Sequence, residues 1–236
     1  DPRLSLILED GRNHIALSDK TYDVIISEPS NPWISGVGAL FTRDFFEMAG
    51  KRLNPGGVIC IWVHTNMSPD NFKSVTRTFA TVFPFVTMWE SIVGDDYLLI
   101  GSMDGHRLPY EKVAKFLSDE SKGRDLRNIG INSVRDLMSL MIMSRESLLQ
   151  FSGDVPIHTD DNALLEFNAP EYIYKDERDV LVRQLAPFVK IEPTLLRFDS
   201  LAGEAQNRVL SEILTVSRSE SQVAEIKRKA HIDTLL

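Results

Sequence analysis

Three short stretches place reactive or ligand-binding side chains just after apolar runs. The first is Glu9-Asp10-Gly11, which follows Leu4-Ser5-Leu6-Ile7-Leu8. A carboxylate at a strand end can accept a hydrogen bond from an exocyclic amine such as that of adenine, and a glycine beside it lets a flat ring approach the backbone. The same aspartate also suits a turn that caps a helix. The second stretch is Ser27-Glu28-Pro29-Ser30-Asn31-Pro32-Trp33. Its two prolines restrict the backbone, so side chains between them are pre-positioned. Glu28 can hold a protonated amine or remove its proton to expose the lone pair. Asn31 can donate or accept, and Trp33 offers a flat apolar wall. The alternative is a rigid loop with an exposed glutamate. The third stretch is Trp62-Val63-His64-Thr65-Asn66. His64 can assist proton transfer or bind substrate, or it can be a hydrogen-bonded structural residue.

Groups that act together must be brought to one edge of a scaffold, and the chain up to Gly105 alternates strand-like and helix-like patterns. The runs 4–8, 23–27 and 58–63 read as strands, and their near-continuous hydrophobicity predicts burial on both faces. Runs 85–89 and 97–101 complete the set, the latter as an antiparallel edge strand. Helices are predicted over 12–17, 42–53 and 69–83, and Asn54-Pro55-Gly56-Gly57 is a turn that stops the second of these. Strand and helix in alternation predict an α/β fold with a mostly parallel sheet. Ligands of such sheets sit at the carboxyl ends of the strands, where Asp10, Glu28 and His64 fall.

After Gly105 the pattern turns helical, with helices predicted over 110–121, 133–143, 175–185, 202–217 and 220–231. The chain is therefore divided into residues 1–105, an α/β unit, and 106–236, a mostly helical extension. Asp160-Asp161 reads as a turn, and no metal site is assigned.

Composition narrows the function. The formal net charge is −8 and no stripe of Lys and Arg occurs, which argues against nucleic acid as a partner. The single cysteine, Cys60, lies inside an apolar run, which leaves no intrachain disulfide or multi-cysteine metal site and favours a cytoplasmic setting. No apolar run reaches the ~18 residues needed to span a bilayer. The chain lacks an initiator Met and opens just before a strand-like run, which reads as a piece of a longer protein.

Taken in order, Asp10-Gly11, Tyr22-Asp23-Val24-Ile25-Ile26, the Glu28 to Trp33 loop, Leu40-Phe41-Thr42 and the Leu53 to Val58 turn resemble successive motifs of the spermidine synthase (polyamine aminopropyltransferase) family. Met67-Ser68-Pro69, Val82-Phe83-Pro84 and Thr159-Asp160-Asp161 look like the bacterial branch fused to membrane-transporter-like segments. The resemblance implies a partial Rossmann-like sheet of the S-adenosylmethionine-methyltransferase type. It also implies transfer of an aminopropyl group from decarboxylated S-adenosylmethionine, a co-substrate and not a permanently bound cofactor, to a small amine. Asp10 and Gly11 match the adenine-contacting pair, Glu28 the acid that deprotonates the amine, and Asn31 an amine-binding position. Membrane association would come only through a fused upstream segment, making this the cytoplasmic part of an anchored protein. A homodimer is compatible with this picture.

The chain departs from the family pattern in three places. Glu28 and Asn31 stand where the family usually carries Asp, and Ile61-Trp62 replaces a common Gln. The Gly-rich loop and ribose-binding acid of this fold class belong to two strands that are expected upstream of Asp1. Two alternatives therefore stand beside the aminopropyltransferase reading. One is a methyltransferase that uses S-adenosylmethionine on the same sheet. The other is a non-catalytic member that binds a nucleoside, a polyamine or a partner protein.

Overall fold

The computed structural model describes the chain apart from residues 30, 31, 33, 93, 173 and 216–236. Asn31, Trp33 and the helix predicted over 220–231 lie outside the described residues.

The α/β fold is observed. One sheet holds five strands: β1 (Tyr22–Ser27), β2 (Leu53–His64), β3 (Phe85–Ile92), β4 (Asp96–Ser102) and, counted after the two-residue β5 (Leu108–Pro109), β6 (Met141–Ser144). Their spatial order is β1-β2-β4-β3-β6. β1 and β2 pair in parallel, and β2–β4, β4–β3 and β3–β6 are antiparallel, so β1, β2 and β3 run in one direction. The strand expected at an edge, 97–101, is antiparallel as predicted but lies inside the sheet. A tight hairpin returns β4 from β3, and β4 then fills the gap between β3 and β2. β5 pairs separately with β7 (Leu196–Arg197).

Two sequence readings are corrected here. Leu4–Leu8 forms no strand, and Leu4, Leu6 and Leu8 are largely exposed. A strand needs a neighbour for its N–H and C=O groups, and none lies beside this run among the described residues. β1 is also not buried on both faces. Ile25 is buried, but Val24 and Ile26 are 53% and 73% exposed.

Helix boundaries follow local chemistry. In α2 (Arg43–Lys51) the Thr42 side chain caps the Phe45 N–H, and in α3 (Pro69–Val82) Ser68 caps Asn71 with Pro69 in the first turn. Asn54–Gly57, read from sequence as a turn, falls inside β2 as an irregularity: Gly56 has φ +75°, and a Cβ on Gly57 would stand 2.9 Å from the carbonyl oxygens of Asn54 and Tyr22. The β1–β2 register shifts at this point, between Tyr22 and Val24.

The core lies between the sheet and α2 and α3. Phe45, Phe46, Ala49, Phe72, Val75 and Phe79 meet Ile59, Ile61, Val63, Met88 and Leu99. The extension packs partly on the opposite face. Trp89, Leu98 and Ile100 meet Leu117 of α4 (Tyr110–Ser118), then, beyond α5 (Arg124–Asn128), Val134 and Met138 of α6 (Val134–Ser139). Met141–Met143, predicted as the end of a helix, is strand β6, because its backbone finds the open edge of β3. Then follow α7 (Arg145–Ser152), α8 (Leu164–Asn168), α9 (Arg178–Leu185) and α10 (Gly203–Thr215). Among the described residues no helix is long and apolar enough to cross a membrane.

Candidate active site at the carboxyl edge of the sheet

Ser27 of β1 pairs in register with Ile61 of β2. Glu28 is the next residue after Ser27, and His64 closes β2 three residues after Ile61. Because the two strands are parallel, both side chains stand at the same edge, the carboxyl edge. Pro29 and Pro32 are buried while Glu28 is exposed. The prolines are thus packed into the protein and the carboxylate is presented outward.

Asp10 caps α1 (Gly11–Leu17), and its Oδ1 accepts from the Asn13 N–H at 2.7 Å. That is the capping role weighed against nucleoside contact, and the two are compatible: a carboxylate has about four acceptor positions, so Oδ2 can still take a second donor. A Cβ on Gly11 would meet nothing within 4 Å, which leaves open space beside it. The far end of α1 reaches the amino end of β1, where His14 Nε2 lies 2.9 Å from the Tyr22 hydroxyl. Near its start, Arg12 Nη1 donates to the Ala39 carbonyl at 2.8 Å.

His64 Nδ1 accepts from the Asn66 N–H at 2.8 Å, so the neutral ring carries its proton on Nε2. Nε2 lies 3.5 Å from Asp95 and 3.7 Å from Asp96. Sequence reading did not single out these two carboxylates. They sit in the β3–β4 hairpin, where Gly94-Asp95-Asp96 looks like any turn. Glu90 Oε1 shapes the hairpin by accepting from the Gly94 N–H at 2.8 Å and the Tyr97 hydroxyl at 3.2 Å. A cleft of about 470 Å³ opens here, lined by His64, Asn66, Asp95, Asp176 and Arg178. Arg178 lies 3.7 Å from Asp95 and 3.1 Å from Asp176. The cleft therefore carries two carboxylates, Asp95 and Asp176, with the Arg178 guanidinium between them and Lys175 beside them, a polar setting of mixed charge.

A second cleft, of about 320 Å³, is lined by Arg12, Gly36, Thr42, His158, Asp160 and Glu166. Asp160 forms an ion pair with Arg12, and this guanidinium holds its carboxyl below the ordinary range. Burial pushes the His158 imidazole below its ordinary value, against the opposing pull of the Gly38 carbonyl bonded to it. Among the described residues no group of three or more His, Cys, Asp or Glu is placed to hold a metal ion.

Residues 1–98 match the Spermine/spermidine synthase domain. A polyamine aminopropyltransferase of Korarchaeum cryptofilum is 28% identical over 175 residues, 69% of this chain and 51% of that protein. Polyamine aminopropyltransferase 2 of Pseudomonas aeruginosa is 32% identical over 112 residues, 42% of this chain and 32% of that protein. Putrescine N-methyltransferase 2 of Nicotiana tabacum is 42% identical over 85 residues, 34% of this chain and 24% of that protein. The chain thus spans 24% to 51% of the length of these relatives. A crystal structure of a probable spermidine synthase from Corynebacterium glutamicum superposes with a TM-score of 0.45 at 18% identity, over 67% of this chain and 55% of that one.

Proposed function

We propose that the protein transfers an aminopropyl group from decarboxylated S-adenosylmethionine to a small amine, with Glu28 as the base. The observation that carries this reading is the placement of Glu28. It is an exposed carboxylate directly after strand β1, at the carboxyl edge of a parallel pair and next to buried Pro29. An alkylammonium has no lone pair. Glu28 takes its proton, the freed nitrogen attacks the methylene next to the sulfonium, and the carbon–sulfur bond breaks with its electrons returning to sulfur. The products are the elongated amine and neutral methylthioadenosine. Asp10 Oδ2 accepts from the adenine amine beside Gly11, while His64 and the hairpin carboxylates steady the remote ammonium. Asn31 and Trp33 are assigned to the amine site on sequence grounds.

A second reading has a specific observation behind it, the match to a putrescine N-methyltransferase. The same edge would then bind the same kind of amine but a donor that retains its carboxylate and gives up a methyl group. Incubating the full-length protein with each donor and a panel of amines separates the two, since one releases methylthioadenosine and the other S-adenosylhomocysteine. Turnover with decarboxylated donor that falls ~10²–10⁴-fold in Glu28→Gln, with methylthioadenosine affinity unchanged, supports the proposal. Turnover only with the carboxylated donor replaces it with the methyltransferase reading, and no turnover with either leaves a binding protein.

A further inference from the structure

A single segment of the extension, residues 158–166, grips two parts of the α/β unit that bear on the candidate site. The ion pair from Asp160 reaches Arg12, two residues from Asp10. Glu166 accepts from the Gly36 N–H at 3.1 Å through both carboxylate oxygens and from the Ser35 hydroxyl at 2.9 Å. Ser35 and Gly36 end the stretch that leads from Glu28 to the 3-10 turn Val37–Phe41. Between these grips, His158 Nε2–H donates to the Gly38 carbonyl at 2.9 Å, and the His158 carbonyl accepts from the Arg43 N–H at 2.9 Å. The turn and α8 approach closely at Gly38, where a Cβ would meet Leu165 and Glu166 at 3.4 Å.

The grip is itself rooted in the core helix α3. The His158 N–H donates to Thr78 Oγ1 at 2.8 Å, Ser74 Oγ to the Pro156 carbonyl at 2.7 Å, and Arg77 Nη1 to the Val155 carbonyl at 2.7 Å. Between Asp160 and Glu166 the chain passes through Ala163 at φ +44°, left-handed backbone that a non-glycine residue adopts only at a cost. The surrounding contacts hold this turn in place.

We propose that Asp160 and Glu166 are positioning residues, which hold the nucleoside-contacting turn at Asp10 and the Ser35–Gly36 entry to the 3-10 turn at a fixed separation. This rests on the proposed function for its catalytic consequence only. Magnitudes separate positioning from stability. Asp160 is 44% exposed, and ion pairs this open contribute ~0–1 kcal/mol to folding. Misplacing a reacting group by about 1 Å costs on the order of 10²-fold in rate. Loss of the Asp160 ion pair should therefore barely move the melting temperature yet weaken the site it holds.

The test uses the full-length protein and the variants Asp160→Ala, Glu166→Ala and Glu166→Gln. Glu166→Ala should lower kcat ~10–100-fold with KM for the nucleoside donor within about threefold. Glu166→Gln keeps one acceptor oxygen and should recover most of the loss. Asp160→Ala should instead weaken methylthioadenosine binding, read by calorimetry, about tenfold or more. Hydrogen exchange supplies a readout that needs no turnover: Glu166→Ala should speed exchange at Gly36 to Ala39 and leave the β2 amides unchanged. Equal losses in kcat and KM for every variant, tracking a fall in melting temperature, would reduce the segment to a structural brace. Unchanged exchange at Gly36 would overturn the proposal outright. If the wild type transfers nothing to any amine, the proposed function falls, while exchange and methylthioadenosine binding still decide the grip.

Discussion

Ser27 and Ile61 face each other across the parallel β1–β2 ladder, and this register sets Glu28 and His64 on one edge of the sheet. His64 is held from one side by the Asn66 N–H and directs its Nε2–H toward Asp95 and Asp96. A ring so held can steady a polar substrate without supporting the core.

His64→Gln should therefore lower kcat/KM for the amine about tenfold, a modest effect for a lost polar contact. The melting temperature should move by no more than a few degrees, because the ring is partly exposed. Amine-dependent steady-state kinetics and a thermal melt check both. An unchanged kcat/KM would return His64 to a structural role.

The Asn54–Gly57 irregularity in β2 gives a stability prediction. Gly57→Ala puts a methyl 2.9 Å from two backbone carbonyl oxygens, closer than real Cβ contacts come. Backbone cannot step aside as a flexible side chain can, so the strand must shift here. The expected loss is about 1–3 kcal/mol in a denaturant titration. Gly56→Ala, at φ +75° with open space around it, should cost less.

Much of this was legible in the sequence because it is local. The Tyr22–Ile26 run and the helices read over 42–53 and 69–83 each depend on residues within a few positions and form close to where the pattern put them, whereas Asn54–Gly57, read as a turn, falls inside β2. Leu4–Leu8 carries the same apolar signal as β1, but a strand depends on a neighbour that no local pattern contains. Met141–Met143 continues a helical spacing, yet it pairs with β3, more than 50 positions earlier. In the candidate site, Glu28, Asp10 and His64 are singled out by their places after apolar runs. Asp95, Asp160 and Glu166 carry no such local mark, since their partners lie 30, 148 and about 130 positions away.

The aromatic cluster beneath the sheet predicts the largest single loss of stability. Phe79 is fully buried, meets Phe46 edge-on at 5.1 Å between centroids and lies 4.7 Å from Phe83. Gly101 lies against the same rings, where a Cβ would come within 2.7 Å of Phe79. Phe79→Ala should cost about 3–5 kcal/mol in chemical denaturation, the transfer loss plus the cavity it leaves. Gly101→Ala should cost about 1–3 kcal/mol by overpacking the same space. Because the two changes act on one space in opposite senses, the double variant should lose less than the sum.

The extension carries an acid-sensitive clasp. The Glu111 carboxylate accepts from the consecutive N–H groups of Asp199, Ser200 and Leu201 and from the Ser200 hydroxyl. These bonds, the Asp199 N–H first, lower its pKa from the ordinary 4.5 to about 2. The folded chain thus holds Glu111 ionised where the unfolded chain would protonate it. The clasp contributes fully above about pH 4.5, and the contribution is lost as the pH falls from there toward about 2. Asp119 behaves alike, lowered to about 2 by the Lys122 N–H and by Ser121. Glu111 ties the start of α4 to the segment leading into α10, so protonation should loosen that join before the core. Hydrogen exchange at residues 199–201 should rise between pH 4.5 and the acid limit, ahead of the β2 amides once the intrinsic pH dependence of exchange is removed. Glu111→Gln should show the raised exchange already at pH 7 and a shallower fall in stability with acid. Equal pH slopes in Glu111→Gln and the wild type would mean that the carboxylate is not what holds the two elements together.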